Sequence, residues 1–186
     1  MPELNAIALP AGTVRTIEDL ALRAWPARLV QPLYGWRLAF ADGLTRRLNS
    51  VQAVEWDDRA ARAEAIEQVE RFYAERALPA RFRITAVSRP QDLDACLAAR
   101  GYEVEAPTDV LVAKAAPLCR GSTSHPVTTT PTPSPDWTKC WLASGARDEA
   151  AKRRALLARL PEAKVFALAR TRNEPIGIGL AVIERE

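Results

Sequence analysis

The stretch GWRLAFADGLTRRLNSV, residues 35–51, decides the fold. Its pattern predicts two antiparallel strands, Trp36–Phe40 and Leu44–Val51. Between them lies Asp42-Gly43, a pair that readily adopts the positive φ angles of a tight turn. The stretch therefore predicts a β-hairpin. Because alternate residues of a strand share a face, one face of the second arm would carry Thr45, Arg47, Asn49 and Val51.

Residues 57–77, DDRAARAEAIEQVERFYAERA, predict a helix downstream of the hairpin. Its apolar residues recur at intervals of three and four and form one stripe. They are Ile66, Val69, Phe72 and Tyr73. Asp57 or Asp58 is expected to cap the helix start. Further on, the sequence predicts a strand at residues 80–85, a helix at 90–101 that stops at Gly101, and a strand at 109–115.

Upstream of the hairpin, residues 15–25 predict a helix in which Thr16 and Asp19 form a start like a capping box. Residues 26–35 are interpreted as a second short helix that closes near Gly35. Helices and strands thus alternate along the chain. This alternation predicts a mixed α/β sheet with helices packed on it.

A change of composition separates this part from the rest of the chain. Residues 117–136 contain five prolines and many Ser and Thr residues. Such a segment buries too little apolar surface to offset its ordering entropy, so residues 116–136 are predicted to be an extended linker. The predicted organisation is a domain at residues 1–115, this linker, and the start of a second domain at residues 137–186.

The second part is predicted to contain a helix at residues 148–163 and a hairpin of KVFALAR and PIGIGLAVIE, residues 164–170 and 175–184. Alternate residues of the last strand are apolar and are expected to share one face: Ile176, Ile178, Leu180 and Val182. The residues between them are glycine or alanine and would allow another chain to approach closely.

Composition excludes several classes of protein. The chain has 186 residues, is 26% charged, and carries a net charge of +3 with acidic and basic residues interleaved, which argues against a nucleic-acid partner. No apolar run is long enough to span a membrane, and the start lacks a basic n-region. The three cysteines form no CxxC pair and there is one histidine, so no metal site is expected. An odd number of cysteines favours a cytoplasmic location.

The hairpin stretch resembles the opening hairpin of a bacterial group of GNAT superfamily N-acetyltransferases, in which two GNAT-like halves are joined in one chain. The resemblance continues through residues 72–85, 97–112 and 164–184. It implies a GNAT-like fold with one degenerate half and the first elements of a second. It also implies acetyl transfer from acetyl-CoA to an amine of a small molecule or peptide.

In that family, a strand like residues 175–184 is followed by another strand and then by a glycine-containing loop. The N–H groups of this loop hold the pyrophosphate of acetyl-CoA. The resemblance therefore implies that the sequence, which stops at Glu186, is truncated before its cofactor loop and is inactive alone. Cofactor-binding residues would be absent and the catalytic residues unknown. The open edge of the last strand would favour strand-edge pairing or a homo-oligomer.

The first half is poorly equipped to replace that loop. No glycine occurs from Leu44 to Arg100, whereas phosphate cradles need small residues. Glu55, Asp57 and Asp58 would repel a diphosphate. An alternative interpretation of the chain is therefore a GNAT-like binding or interaction module without catalytic activity.

Trp36, Arg47 and Asn49 belong to the recurrent hairpin phrase and are the candidates for lining a substrate cleft. Arg47 and Asn49 are expected on the same strand face, where they would meet a substrate or the other half of the chain. The alternative is that these side chains hold the hairpin against a neighbouring helix.

Overall fold

The computed structural model describes residues 8–114, 116, 124–146 and 149–184. The chain divides into two compact units, Met1–Cys96 with Ala151–Pro161, and Leu97–Ala150 with Glu162–Glu186. The predicted mixed α/β class is confirmed. The described helices are α1 (Ala11–Ala24), α2 (Arg62–Ala74), α3 (Leu93–Ala99), α4 (Pro135–Ala143) and α5 (Ala150–Arg159). The described strands are β1 (Leu29–Leu33), β2 (Trp36–Phe40), β3 (Val51–Gln52), β4 (Phe82–Arg83), β5 (Val127–Thr130), β6 (Lys164–Thr171) and β7 (Glu174–Val182).

The first unit contains a four-stranded sheet in the order β1-β2-β3-β4. β2 runs antiparallel to both β1 and β3, and β4 runs parallel to β3. The apolar stripe predicted for α2 is confirmed, because all four of its residues are buried. The Tyr73 hydroxyl donates to the carbonyl of Ala39 at 2.8 Å, and burial raises the pKa of this phenol. α2 is therefore fastened to β2 by a hydrogen bond as well as by apolar contact.

The prediction of a second helix at residues 26–35 is wrong. Residues 29–33 form β1, which pairs with β2 around a two-residue turn at Tyr34 and Gly35. Both turn residues have positive φ, 49° and 90°, which is the geometry of a tight hairpin. The predicted start of the first helix is also wrong. α1 begins at Ala11, and the Thr16 hydroxyl donates to the carbonyl of Gly12 inside the helix.

The second predicted hairpin arm, Leu44–Val51, is wrong except at its end. Asp42 and Gly43 have the expected positive φ angles, 55° and 77°. The chain then makes further turns, and only Val51–Gln52 pairs with β2. The Asn49 side chain causes this compact path, because its Oδ1 accepts hydrogen bonds from the backbone N–H groups of Ala41 and Gly43.

The expected aspartate cap of α2 is likewise absent, because the residue before the helix is Ala61 and makes no side-chain cap. The Asp57 carboxylate accepts hydrogen bonds from Arg59 instead. At the end of α3, by contrast, Gly101 has φ +85°, as expected of a helix stop.

The second unit contains an antiparallel sheet in the order β5-β6-β7. The predicted hairpin is confirmed, with Arg172 and Asn173 in its turn. A register shift leaves Ile176 without an opposite residue, so the predicted alternation breaks there. Trp137 of α4 is buried, packs edge-on against Phe166 at 4.8 Å, and donates from its indole to the Gly179 carbonyl at 3.0 Å.

The remaining predictions concern residues 109–163, and the described residues confirm some of them and contradict others. Residues 109–114 form no strand and are exposed, so the predicted strand is wrong there, while residue 115 lies outside the described part. Within the predicted linker, residues 127–130 form β5 and Pro135 begins α4. The helix predicted at residues 148–163 is confirmed as α5. The segment Ala151–Pro161, which contains most of α5, belongs to the first unit. The domain boundaries at residues 115 and 137 stay a prediction. No described helix combines the length and hydropathy needed to cross a bilayer.

Candidate functional site

Trp36, the first cleft candidate, is a core residue. It is fully buried, and its indole nitrogen donates to the carbonyl of Arg89 at 2.8 Å. Its ring lies 4.9 Å from that of Trp56 and 5.6 Å from that of Phe82, measured between centroids. Both the apolar surface and the one polar atom of this indole are therefore engaged within the protein.

Asn49, the second candidate, shapes the loop that follows β2. Besides accepting two backbone hydrogen bonds, it donates from Nδ2 to the carbonyl of Thr45 at 2.7 Å, and its side chain is buried. Arg47, the third candidate, is exposed and lies close enough to Arg83 for its charge to lower the pKa of that guanidinium. Only Arg47 is on the surface, and a role for the three residues in substrate binding stays a prediction.

Alanine substitutions distinguish Asn49, which shapes the loop, from Arg47, which lies on the surface. Asn49→Ala is expected to lower the free energy of unfolding by roughly 2–4 kcal/mol, because the N–H groups of Ala41 and Gly43, the first of them buried, lose their acceptor. Arg47→Ala is expected to change it by no more than about 0.5 kcal/mol, since the side chain is exposed. Urea unfolding followed by tryptophan fluorescence measures both. Equal effects of the two substitutions would contradict the assignment of Asn49 as the loop-forming residue.

A partly buried cluster of polar side chains crosses the first sheet. Arg37, Gln52 and Arg83 lie opposite one another in register on β2, β3 and β4. Helix α1 supplies the matching carboxylates: Glu18 pairs with Arg83, and Asp19 pairs with Arg37. We call these five residues the polar row.

Gln52 connects the two ion pairs of the polar row. Its Nε2 donates to the backbone carbonyl of Glu18 at 2.9 Å and to Oε2 of the same residue at 3.2 Å. Its Oε1 accepts from Arg37 at 3.3 Å. Burial lowers the pKa of Arg83; the charge of Glu18 opposes this shift, and that of Arg47 adds to it. Because these polar groups are satisfied internally, the row fastens α1 to three strands.

Sequence reasoning missed the polar row because its members are far apart in the chain. Arginines and acids are interleaved along the chain, and this alternation alone does not indicate which of them pair. The register of β2, β3 and β4 is what brings three polar side chains into line. Gln52 is a polar residue between the apolar residues Val51 and Ala53, and this position could have indicated a buried polar contact. Its partners, however, depend on the order of the strands in the sheet.

The GNAT resemblance implies that a cofactor loop of the first half would lie in the connection between β3 and α2, residues 53–61. It is committed to other contacts: Asp57 N–H donates to the Tyr34 carbonyl at 2.9 Å, and Glu55 lies against Gly35. The hydrogen bonds from Arg59 lower the pKa of Asp57 to about 2, so this carboxylate is ionised at neutral pH. Without glycine and with these carboxylates, the connection does not fit the diphosphate of acetyl-CoA.

A groove with a volume of about 310 Å³ lies beside α2 in the first unit. One residue of β1, one face of α2 and the two residues that follow α2 line it. They are Gln31, Glu64, Glu67, Gln68, Arg71, Phe72, Glu75 and Arg76. We call it the α2 groove. In the described part of the chain, no cluster of three or more metal-binding side chains occurs.

Comparison with known proteins gives one family match. The family model described as "Probable histone acetyltransferase Rv0428c C-terminal" matches residues 11–181. No curated protein gives a significant match. Among solved structures, none matches significantly either.

Proposed function

The chain belongs to the family described as the C-terminal part of a probable histone acetyltransferase, and we propose that it forms part of an N-acetyltransferase of the GNAT type. The proposed reaction transfers the acetyl group of acetyl-CoA to an amine of a small molecule or peptide. The observation that carries this proposal is the extent of the family match, which includes residues of both compact units.

We further propose that the chain alone does not hold acetyl-CoA and is inactive. Support comes from the connection between β3 and α2, where the backbone contacts the Tyr34–Gly35 turn and the Asp57 side chain binds Arg59. The pyrophosphate of the cofactor needs free backbone N–H groups and a positive or neutral surrounding.

Arg47 is the residue of the predicted cleft that we propose to face the acceptor. Its guanidinium is exposed, whereas that of Arg83 is paired with Glu18. An exposed guanidinium favours an acceptor that carries a carboxylate or another anionic group besides its amine.

A GNAT-like interaction module without catalytic activity is the alternative function. The absence of glycine from residues 53–61 favours this alternative, because a domain that binds no cofactor does not need small residues in that connection. The open edge of β7 in the described residues would then offer a site for strand-edge pairing or a homo-oligomer.

Two measurements on the purified chain test the proposal. Release of free CoA thiol is followed with acetyl-CoA and a panel of amines that includes lysine-containing peptides, polyamines and amino acids. Thermal unfolding is followed with and without acetyl-CoA at a concentration of about 1 mM, since a ligand at 100 times its Kd stabilises by about 2.7 kcal/mol. We expect no thiol release above that of buffer and no rise in Tm.

The same assays on the endogenous protein purified from its source cells separate the two functions. Turnover by the endogenous protein, together with an intact mass above 20.5 kDa, would support an enzyme of which this chain is a part. Absence of turnover at a mass of 20.5 kDa would favour the interaction module. Turnover by the 186-residue chain would refute the proposed inactivity.

A further inference from the structure

An exposed apolar segment lies between α3 and β5. Residues 108–114, TDVLVAK, form neither a helix nor a strand, and all of them are exposed. Val110, Leu111 and Val112 are 58%, 71% and 58% exposed, so three large apolar residues in succession face solvent. A contiguous apolar run on a surface is typical of a contact with another polypeptide. We call residues 108–114 the TDVLVAK segment.

The backbone of the TDVLVAK segment has no partner in the part of the chain that the structure describes. No backbone hydrogen bond joins it to another described residue, and it belongs to neither sheet. Its valines favour a strand, and a row of unpaired N–H and C=O groups is a template for pairing with another chain. The segment is therefore expected to become a strand when a second chain supplies the neighbour.

The order of its apolar residues makes the segment complementary to a second copy of itself. Antiparallel pairing about a two-fold axis at Leu111 places the two Leu111 side chains opposite each other. Val110 of each copy then lies opposite Val112 of the other. Apolar pairs directly across two strands stabilise their pairing.

The charges near the two ends of the segment favour this antiparallel direction. Asp109 and Lys114 are exposed, and neither makes an ion pair or a side-chain hydrogen bond with another described residue. In the antiparallel pair, Asp109 lies opposite Ala113 of the other copy and so next to the position of Lys114. Parallel pairing in register would instead place like charges directly opposite, which is destabilising. Pro107 has no N–H group and limits the pairing to the segment itself.

We propose that the TDVLVAK segment pairs antiparallel with the same segment of a second copy of this chain and forms a two-fold symmetric dimer. The inference does not depend on acetyl transfer, and it uses a different surface from the open edge of β7. At 3.4 Å per residue, the paired segments span only about 24 Å. The interface is therefore small, and the dissociation constant is expected to be on the order of 100 µM.

Sedimentation equilibrium of the 186-residue chain at concentrations from about 10 to 500 µM tests the inference. We expect the average mass to rise with concentration from 20.5 kDa towards twice that value. Leu111→Asp places two carboxylates opposite each other at the axis and should raise the dissociation constant by about tenfold or more. Val104→Asp is the matched control, because it makes the same change at a residue that is 86% exposed and lies outside the segment. At about 0.15 M salt it should change the dissociation constant by less than about twofold.

A charge exchange tests the antiparallel direction. Asp109→Lys brings lysines together at both ends of the paired segments and should raise the dissociation constant by about two- to threefold. Adding Lys114→Asp restores opposite charges and the original net charge, so the double variant should bind itself as tightly as the unchanged chain. Thermal unfolding checks that each variant is folded.

Three outcomes would overturn the inference. The first is an average mass that stays at 20.5 kDa up to about 500 µM. The second is an equal effect of Val104→Asp and Leu111→Asp, which would mean that the copies associate through another surface, such as the edge of β7. The third is a double charge variant that dimerises no better than Asp109→Lys.

Discussion

Gly35→Ala is expected to lower the free energy of unfolding by roughly 3–5 kcal/mol, because it adds backbone strain to a steric clash. Gly35 has φ +90°, a conformation that residues with a Cβ rarely adopt. An added Cβ would lie 2.8 Å from the carbonyl carbon of Glu55 and 2.9 Å from the nitrogen of Trp56. Both are backbone atoms, so the β1–β2 turn and the connection after β3 would have to move apart.

Two other glycines of the first unit are matched controls for urea unfolding. Gly43→Ala carries similar strain, with φ +77°, but its Cβ would meet only the Leu78 side chain at 3.1 Å, so a cost of about 1–2 kcal/mol is expected. Gly12→Ala lies in α1 with no atom within 4 Å and should stabilise by about 0.5–1 kcal/mol. If Gly35→Ala cost no more than Gly43→Ala, the backbone contact with Glu55 would have no energetic role.

The same turn explains why the first hairpin was misplaced by sequence reasoning. Asp42-Gly43 is a recognised turn pair and does adopt positive φ, but Asn49 folds the following residues into a loop instead of a strand. The hairpin turn is Tyr34-Gly35, in which a tyrosine takes φ 49°, a conformation that its residue type does not favour. Packing of Tyr34 edge-on against Trp56, at 6.4 Å between centroids, depends on tertiary structure.

Segments with strong local signals were predicted well. α2 and the β6–β7 hairpin depend on an apolar stripe and on a short turn, both of which the sequence displays. Residues 109–114 have high strand propensity, but propensity alone does not form a strand when no described strand pairs with them. The polar row depends on strand order and register, and no local pattern encodes these.

Glu18→Ala is expected to have an effect comparable to that of Gly35→Ala, about 3–5 kcal/mol, because it leaves a largely buried guanidinium unpaired. The side chains of Glu18 and Arg83 are 8% and 20% exposed. Gln52 Nε2 would also lose its contact with the carboxylate. Asp19→Ala on the same helix is the matched control: its pair with Arg37 is 35% and 32% exposed, and solvent screening limits the expected cost to about 1 kcal/mol.

The double variant Glu18→Leu with Arg83→Met distinguishes the attraction within the pair from the cost of an unpaired charge. When both charges are replaced by apolar side chains of similar size, no buried ion is left, and stability should return to within about 1–2 kcal/mol of the unchanged chain. A double-mutant cycle from urea unfolding measures this coupling. If the double variant were as unstable as Glu18→Ala, the hydrogen bond from Gln52 to the Glu18 carboxylate, rather than the charge of Arg83, would be what holds α1 on the sheet.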